Sequence, residues 1–377
     1  MSIASALGLG GKKVRYGIVA LGDISQGSLM PAVAHTGNSE ITALVSSDVE
    51  KLAALGDLYN VENRYSYDEF PALLASGQVD AIYLATPNWR HAEFAIPALE
   101  AGIHVLCEKP LEVNSDLCRA MMEAEKRGGA KLMTAYRLHF EPANLDAIRR
   151  IRAGELGDLI AFTGGMGQVL DPANHRARHG IEGGPLFDLA PYPINAIRFL
   201  FGAEPVEVVS AVGTRHPEAD LGDFDDTLAV TLRMPGNQLA QFVVSYYANR
   251  LDNFTITGTK GTIEMSPAFG LGDGLAQTRR IGDDDTHEQF PATDQFGGEL
   301  RYFSDCILND RAVEPSGEEG LVDLLVVEAI MEALRTGQPA KVEPFTRSLR
   351  IDPEAQEQRL RPVSAPKKVN ASSPSRD

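Results

Sequence analysis

Cysteine is scarce. Only Cys107, Cys118 and Cys306 occur in 377 residues, and none is in CxxC spacing. No disulfide framework is expected, and a reducing compartment fits best. No apolar run reaches the ~18 residues that a bilayer-spanning helix needs. Residues 1–11 lack a basic n-region, and their apolar stretch is short and glycine-rich. Neither a secretory leader nor a twin-arginine signal is expected there, so the expected location is cytoplasmic. Basic charge is in deficit as well, with 35 Lys and Arg against 52 Asp and Glu and a formal net charge of −17. Such a surface repels nucleic acid and anionic membranes, although one pocket can still be basic. No internal repeat is present, which excludes solenoids and propellers.

What is present is an ordinary globular mixture, 44% hydrophobic and 23% charged, long enough for two cores. The first third alternates strand and helix signals. Strands are expected over residues 14–21, 40–46, 79–85, 103–107 and 131–136. Helices are expected over 25–35, 49–59, 89–101 and 114–127. This rhythm predicts a parallel sheet covered by helices on both faces. The later chain changes character. Residues 206–215, 227–234, 238–247 and two short runs in 252–265 are β-branched and joined by tight turns such as Pro235-Gly236-Asn237. They predict a second domain with a mostly antiparallel sheet, one face of which is left for another subunit to cover. Residues 318–336 read as an amphipathic helix closed by Gly337. From 363 to 377 large apolar groups almost vanish, and a disordered tail is expected.

Two segments carry chemistry. The first is the turn Ala20-Leu21-Gly22-Asp23-Ile24-Ser25, which ends a strand and opens a helix, where a dinucleotide pyrophosphate is held by exposed helix N–H groups. Against G-x-G-x-x-G only Gly22 is kept, so an ordinary βα turn remains the alternative. At the end of the second strand stand Ser46, Ser47 and Asp48, with Lys51 beyond. Hydroxyls and a lysine suit a 2′-phosphate, so NADP is favoured. Asp48, if it faces the ribose, would restore NAD.

The second segment pairs Glu108-Lys109-Pro110, at the carboxyl end of a strand, with GGPLFDLAPYPIN at residues 183–195. If residues 186–192 are helical, Asp188 and Tyr192 share a face. Tyr192 can act as a general acid or base where a cation such as Lys109 favours its charged form, and Asp188 can orient a substrate hydroxyl. Singly, each has a plain structural explanation: a surface lysine, a core aromatic, a helix cap. His175 and His179 are four apart, but in a loop and without a Glu-x-x-His context, so no metal is expected. His139 reads as a packing residue, and Cys107 as a buried thiol.

Together EKP, YRLHFEP at residues 136–142, GGPLFDLAPYPIN and the helix at 316–339 resemble the Gfo/Idh/MocA oxidoreductases, in particular members similar to glucose–fructose oxidoreductase and aldose dehydrogenases. The resemblance spans roughly residues 13–345. It implies an α/β chain with an N-terminal arm (1–12), a doubly wound Rossmann domain (13–137), a C-terminal α/β domain with a large, mostly antiparallel open sheet (138–345), and a partly disordered tail (346–377). It implies a cofactor site of Ala20, Leu21, Gly22, Asp23, Ile24, Ser46, Ser47, Lys51, Thr86, Pro87, Asn88, His91, Glu108, Lys109 and Arg137. Lys109, Asp188 and Tyr192 become the catalytic set, with Arg176 added on the substrate side. Tyrosine rather than histidine at 192 points to aldoses and diols rather than inositol. The implied reaction is hydride transfer between NADP and C1 of an aldose, giving an aldonolactone, with retained NADPH re-oxidised by a second sugar. The alternatives are a trans-dihydrodiol or dicarbonyl oxidoreductase and an NADP-sensing regulator. The implied partner is a second copy of the chain, as a homodimer or homotetramer through the open sheet. His175-Arg176 replaces the family's usual Trp-Arg, so that pocket wall is expected to differ.

Overall fold

The computed structural model describes residues 11–271 and 273–376. All but the last two residues of the expected N-terminal arm lie outside them. Six strands form the first sheet: β1 (Val14–Val19), β2 (Ser39–Val45), β3 (Asn63–Tyr65), β4 (Ala81–Leu84), β5 (His104–Glu108) and β6 (Leu132–Ala135), in the order β3-β2-β1-β4-β5-β6. All pairs are parallel. β4, and β1 from Tyr16 onward, are buried on both faces, which is why they read as apolar runs. The strand order reverses between β1 and β4, and ligands bind at the carboxyl ends of strands beside such a reversal.

The expected helices form with clear stops. Ser115–Gly128 begins at Asn114, whose side chain accepts from the N–H groups of Asp116 and Leu117, and it ends at left-handed Gly129. The expected helix at 25–35 opens instead as one wide turn, Ser25–Leu29, before the regular helix Met30–Thr36.

The second sheet has nine strands: β7 (Leu159–Gly167), β8 (Glu207–Thr214), β9 (Thr227–Arg233), β10 (Leu239–Ser245), β11 (Asp252–Gly258), β12 (Gly261–Met265), β13 (Ala276–Ile281), β14 (Asp284–Gln289) and β15 (Ala340–Lys341). Their order is β14-β13-β12-β11-β7-β10-β9-β8-β15, antiparallel except for β7 with β10. Helices Pro185–Asp188, Pro191–Phe201 and Gly317–Thr336 pack against it. On its other face Val212, Ala229 and Val243 lie side by side in register, all exposed.

Two features depart from the sequence expectations. Helix Gln295–Leu308, far along the chain, packs on the first sheet, where Ser304 Oγ lies 2.8 Å from both Tyr16 Oη and Ser39 Oγ. The chain beyond 137 therefore returns to the Rossmann unit. The tail also differs in part: Val369, Asn370, Ser375 and Arg376 are hydrogen-bonded to the body, whereas residues 361–365 are exposed. Its small polar composition is offset by side-chain hydrogen bonds from both domains.

Helix Gly317–Thr336 joins the two units. A Cβ on Gly320 would lie 2.5 Å from Leu111 Cβ, so glycine there lets the helix seat directly on the loop that follows Lys109.

Candidate active site

A single cleft of about 660 Å³ runs along the carboxyl edge of the first sheet, facing the second domain. That volume suits a small-molecule or cofactor site. Every residue named from the sequence as cofactor-, substrate- or reaction-handling lines it, from Ala20 to Tyr192.

At one end, β1 runs into Ala20, which adopts φ +73°, the left-handed conformation that favours glycine. The turn thus keeps the shape of the glycine it replaces. Ser25 Oγ donates to Ala20 O at 2.8 Å and bridges the turn. A Cβ on Gly22 would meet nothing within 4 Å, so the space above the turn is open for a phosphate. At the end of β2, Asp48 accepts from Lys51 N at 3.0 Å and caps helix Val49–Tyr59. That hydrogen bond holds its carboxyl below the ordinary range. The cap uses Oδ1 only, and Asp48 also lines the cleft. Ser46, Ser47 and Lys51 face the cleft beside it.

Thr86, Pro87 and Asn88 follow β4. His91 sits behind them, its ring nitrogens 3.0 Å from Thr86 O and 3.0 Å from Pro110 O. Burial pushes its pKa down to about 4, and the neutral ring, with one N–H, donates to one of the two loops while packing against the other. Glu108, expected at the cofactor, accepts from Tyr83 Oη at 2.6 Å and is raised by burial.

At the other end, the Lys109–Pro110 peptide is cis, and Lys109 Nζ donates to Asp188 O at 2.7 Å and Oδ1 at 3.3 Å. The same nitrogen lies 4.5 Å from the centre of the Tyr192 ring. Burial opposes its charge, but Tyr192 and Asp188 hold the ammonium above its ordinary range. Asp188 Oδ2 accepts from Tyr246 Oη at 2.8 Å and Gln168 Nε2 at 3.4 Å, with Arg176 Nε at 3.7 Å. Burial would raise its pKa, yet Arg176 and Lys109 keep it well below the carboxylate range.

The expected Lys109 cation is near Tyr192, but a second cation meets the phenol oxygen. Arg137 Nη2 donates to that oxygen at 3.3 Å, while Lys109 covers the ring face. Arg137 is fixed by Phe269 O at 2.7 Å and by Gln295. Its charge at the phenol was invisible in sequence, because the fixing residues lie more than 130 positions away.

Tyr246 and Gln168 were also missed: one sits just beyond β10 and the other just beyond β7, and neither stands in a motif. His175 and His179 flank Trp89, with the His179 ring stacked 3.3 Å from its ring centre. Among the described residues no three side chains of metal-ligating type cluster, and no helix is long and apolar enough to cross a membrane. The pocket brings Lys109 and Arg176 to the Asp188 carboxylate and Arg137 to the Tyr192 oxygen, inside a chain that is acidic overall. Such a site can take a proton from a hydroxyl and steady the negative charge left on oxygen.

A family model described as an oxidoreductase family with an NAD-binding Rossmann fold matches residues 14–136, and one described as the GFO/IDH/MocA C-terminal domain matches residues 145–264. D-xylose 1-dehydrogenase [NADP(+)] of Haloarcula marismortui is 33% identical over 88% of this chain and 93% of its own length. Trans-1,2-dihydrobenzene-1,2-diol dehydrogenase of Bos taurus is 31% identical over 67% of this chain and 74% of its own. The solved aldose-aldose oxidoreductase from Caulobacter crescentus, complexed with glycerol, is 35% identical and superposes with a TM-score of 0.83 over 88% of this chain and 100% of that one.

Proposed function

The chain belongs to the GFO/IDH/MocA oxidoreductase family, and on that premise we propose that it moves hydride between NADP and C1 of an aldose, forming the aldonolactone. The finer part of the reading is that NADP stays bound and a second sugar takes the hydride back. NADP over NAD is supported by Ser46, Ser47 and Lys51 facing the cleft. The open space above Gly22 and the glycine-like turn at Ala20 fit a dinucleotide pyrophosphate. The names of the xylose dehydrogenase and aldose-aldose oxidoreductase relatives support a sugar.

The observation that carries the reading is the Tyr192 phenol, set between Lys109 over its face and Arg137 at its oxygen. When bound, the nicotinamide supplies the hydride acceptor. Tyr192, acting as the phenolate with its charge steadied by Arg137, takes the proton of the C1 hydroxyl at its phenol oxygen and becomes neutral. Lys109 stands where negative charge grows on the substrate oxygen. Asp188 stays ionised, offsets Lys109 and accepts from a neighbouring sugar hydroxyl. In reverse, Tyr192 returns the proton to a carbonyl oxygen.

The proposed setting is cytoplasmic. The proposed assembly is a homodimer or homotetramer through the exposed row Val212, Ala229 and Val243. Tyr192→Phe tests the reaction: turnover of xylose or glucose falls ~10²–10⁴-fold while NADP binding persists. Full turnover by that variant would favour an NADP sensor instead. Turnover of trans-dihydrodiols without turnover of aldoses would move the reading to the dihydrodiol alternative, which the 31% identical bovine relative supports.

A further inference from the structure

The last described segment belongs to neither sheet. It has almost no apolar face, yet it follows a fixed course across the mouth of the cleft. Lys368 Nζ pairs with Asp23 in the phosphate turn. Val369 N donates to Gln26 Oε1 at 2.8 Å, and Gln26 Nε2 donates back to Val369 O at 2.9 Å. That Nε2 also holds Leu21 O at 2.8 Å, so one side chain pins the turn and the segment together. Asn370 Nδ2 then donates to Glu50 Oε2 at 3.0 Å and Asp48 Oδ2 at 3.3 Å, beyond the end of β2.

From there the segment crosses to the second domain. Asp171 N donates to Pro374 O at 2.9 Å and Arg376 N to Val169 O at 2.8 Å. Ser375 Oγ donates to Gln168 Oε1 at 3.0 Å, and Gln168 in turn reaches Asp188. In one pass the segment touches the phosphate turn, the ribose end of the cleft and a partner of the candidate catalytic carboxylate.

We propose that residues 368–376 form a third wall of the dinucleotide site, a strap that retains NADP between turnovers. The proposal rests on the reading of the cleft as an NADP site. With the strap in place the cleft still holds about 660 Å³, lined on one side by Asn370, Ala371, Ser372 and Pro374. The segment therefore roofs the cleft and does not plug it. Small side chains let its backbone pass over a ligand without filling the space. In a chain of net charge −17, residues 363–377 carry Lys367, Lys368 and Arg376 against Asp377 alone. Lys368 is held on Asp23 and Arg376 on Asp171, so these cations fasten the strap to both domains, and salt weakens that hold. Much of the strap is exposed and its hold on the body is a few hydrogen bonds. Such a segment opens at low cost, and a ligand that touches it shifts it toward the closed state.

The experiment follows the release of NADPH, by its fluorescence, after a chase with excess NADP. It compares the full chain with a chain ending at Pro362. Release from the shortened chain is expected to be about tenfold faster or more, and to depend less on salt. The Lys368→Ala/Asn370→Ala double variant keeps every backbone atom and covers the case in which shortening prevents folding. It is expected to release about threefold to tenfold faster. Release unchanged in the double variant and in any shortened chain that folds overturns the strap. A full chain that binds no NADPH overturns the cofactor reading beneath it, which is a separate result.

Discussion

The two ends of the cleft are made of different materials. The dinucleotide end is mostly backbone, the loops that follow β1, β2 and β4, each placed by a strand buried in the first sheet. The hydroxyl-handling end is mostly side chains, gathered from residues 109, 137, 168, 176, 188, 192 and 246. A backbone-built site tolerates substitution as long as the conformation survives. Ala20 and Ser25 stand where glycines are usual, and the turn keeps its form through φ +73° and the Ser25–Ala20 hydrogen bond. A site built from charges is less forgiving, because each group satisfies another and removing one leaves a buried charge without its partner.

That contrast can be broken by experiment. The largest effect is expected from Lys109→Ala, which removes a cation from the reacting oxygen and leaves Asp188 under-compensated. Steady-state kinetics should show kcat/KM down ~10²–10³-fold, and a loss below tenfold would sink the idea of a charge-built end. Tyr246→Phe deletes one hydrogen bond to the Asp188 carboxylate, worth ~1.5–3 kcal/mol, so kcat should fall ~10–100-fold. The Kd for NADP should stay level, and a parallel loss of NADP affinity would show that the two ends are not separable.

The third prediction concerns pH. His91 has a folded pKa of about 4, lowered by burial from 6.5. Below about 6.5 the unfolded chain takes up a proton that the folded chain refuses. Stability is therefore complete above about 6.5 and is lost as pH falls toward about 4, by ~3 kcal/mol in all. Thermal melts of the chain and of His91→Asn across that range should differ in slope; parallel curves would remove His91 as the source of that loss. A smaller effect is expected at the cofactor end, where Lys51→Ala should raise the Kd for NADP ~10-fold and leave that for NAD unchanged. The smallest is Ala20→Gly. Relief of the left-handed alanine is worth ~1 kcal/mol, so Tm should rise by ~1–3 °C with NADP binding intact. A lower Tm would mean that the turn is not strained by its alanine.

The parallel sheet was legible because strands buried on both faces read as unbroken apolar runs, as in residues 81–84. β7 was not. Its sequence LIAFTGGMG contains three glycines, which read as breakers. They are there because the neighbouring strands crowd in: a Cβ on Gly164 would lie 2.6 Å from Asn253 O, and one on Gly165 2.7 Å from Val243 O. β14, DDTHEQ, was hidden by its charges, which suit an exposed sheet edge.

For the site, the sequence by itself determined which residue types were available and in what order, and every residue assigned from it to cofactor, substrate or catalysis lines one cleft. It left open whether Asp48 faces the ribose, and the structure shows its Oδ1 accepting from Lys51 N at the start of a helix. Only the tertiary structure decided that Arg137, and not Lys109, meets the Tyr192 oxygen, that Tyr246 and Gln168 hold Asp188, and that a tail without an apolar face lies across the cleft. Local pattern records propensity and periodicity. Which distant polar atoms come within hydrogen-bonding distance is settled by how two sheets and the helix between them pack, and no short stretch of sequence carries that information.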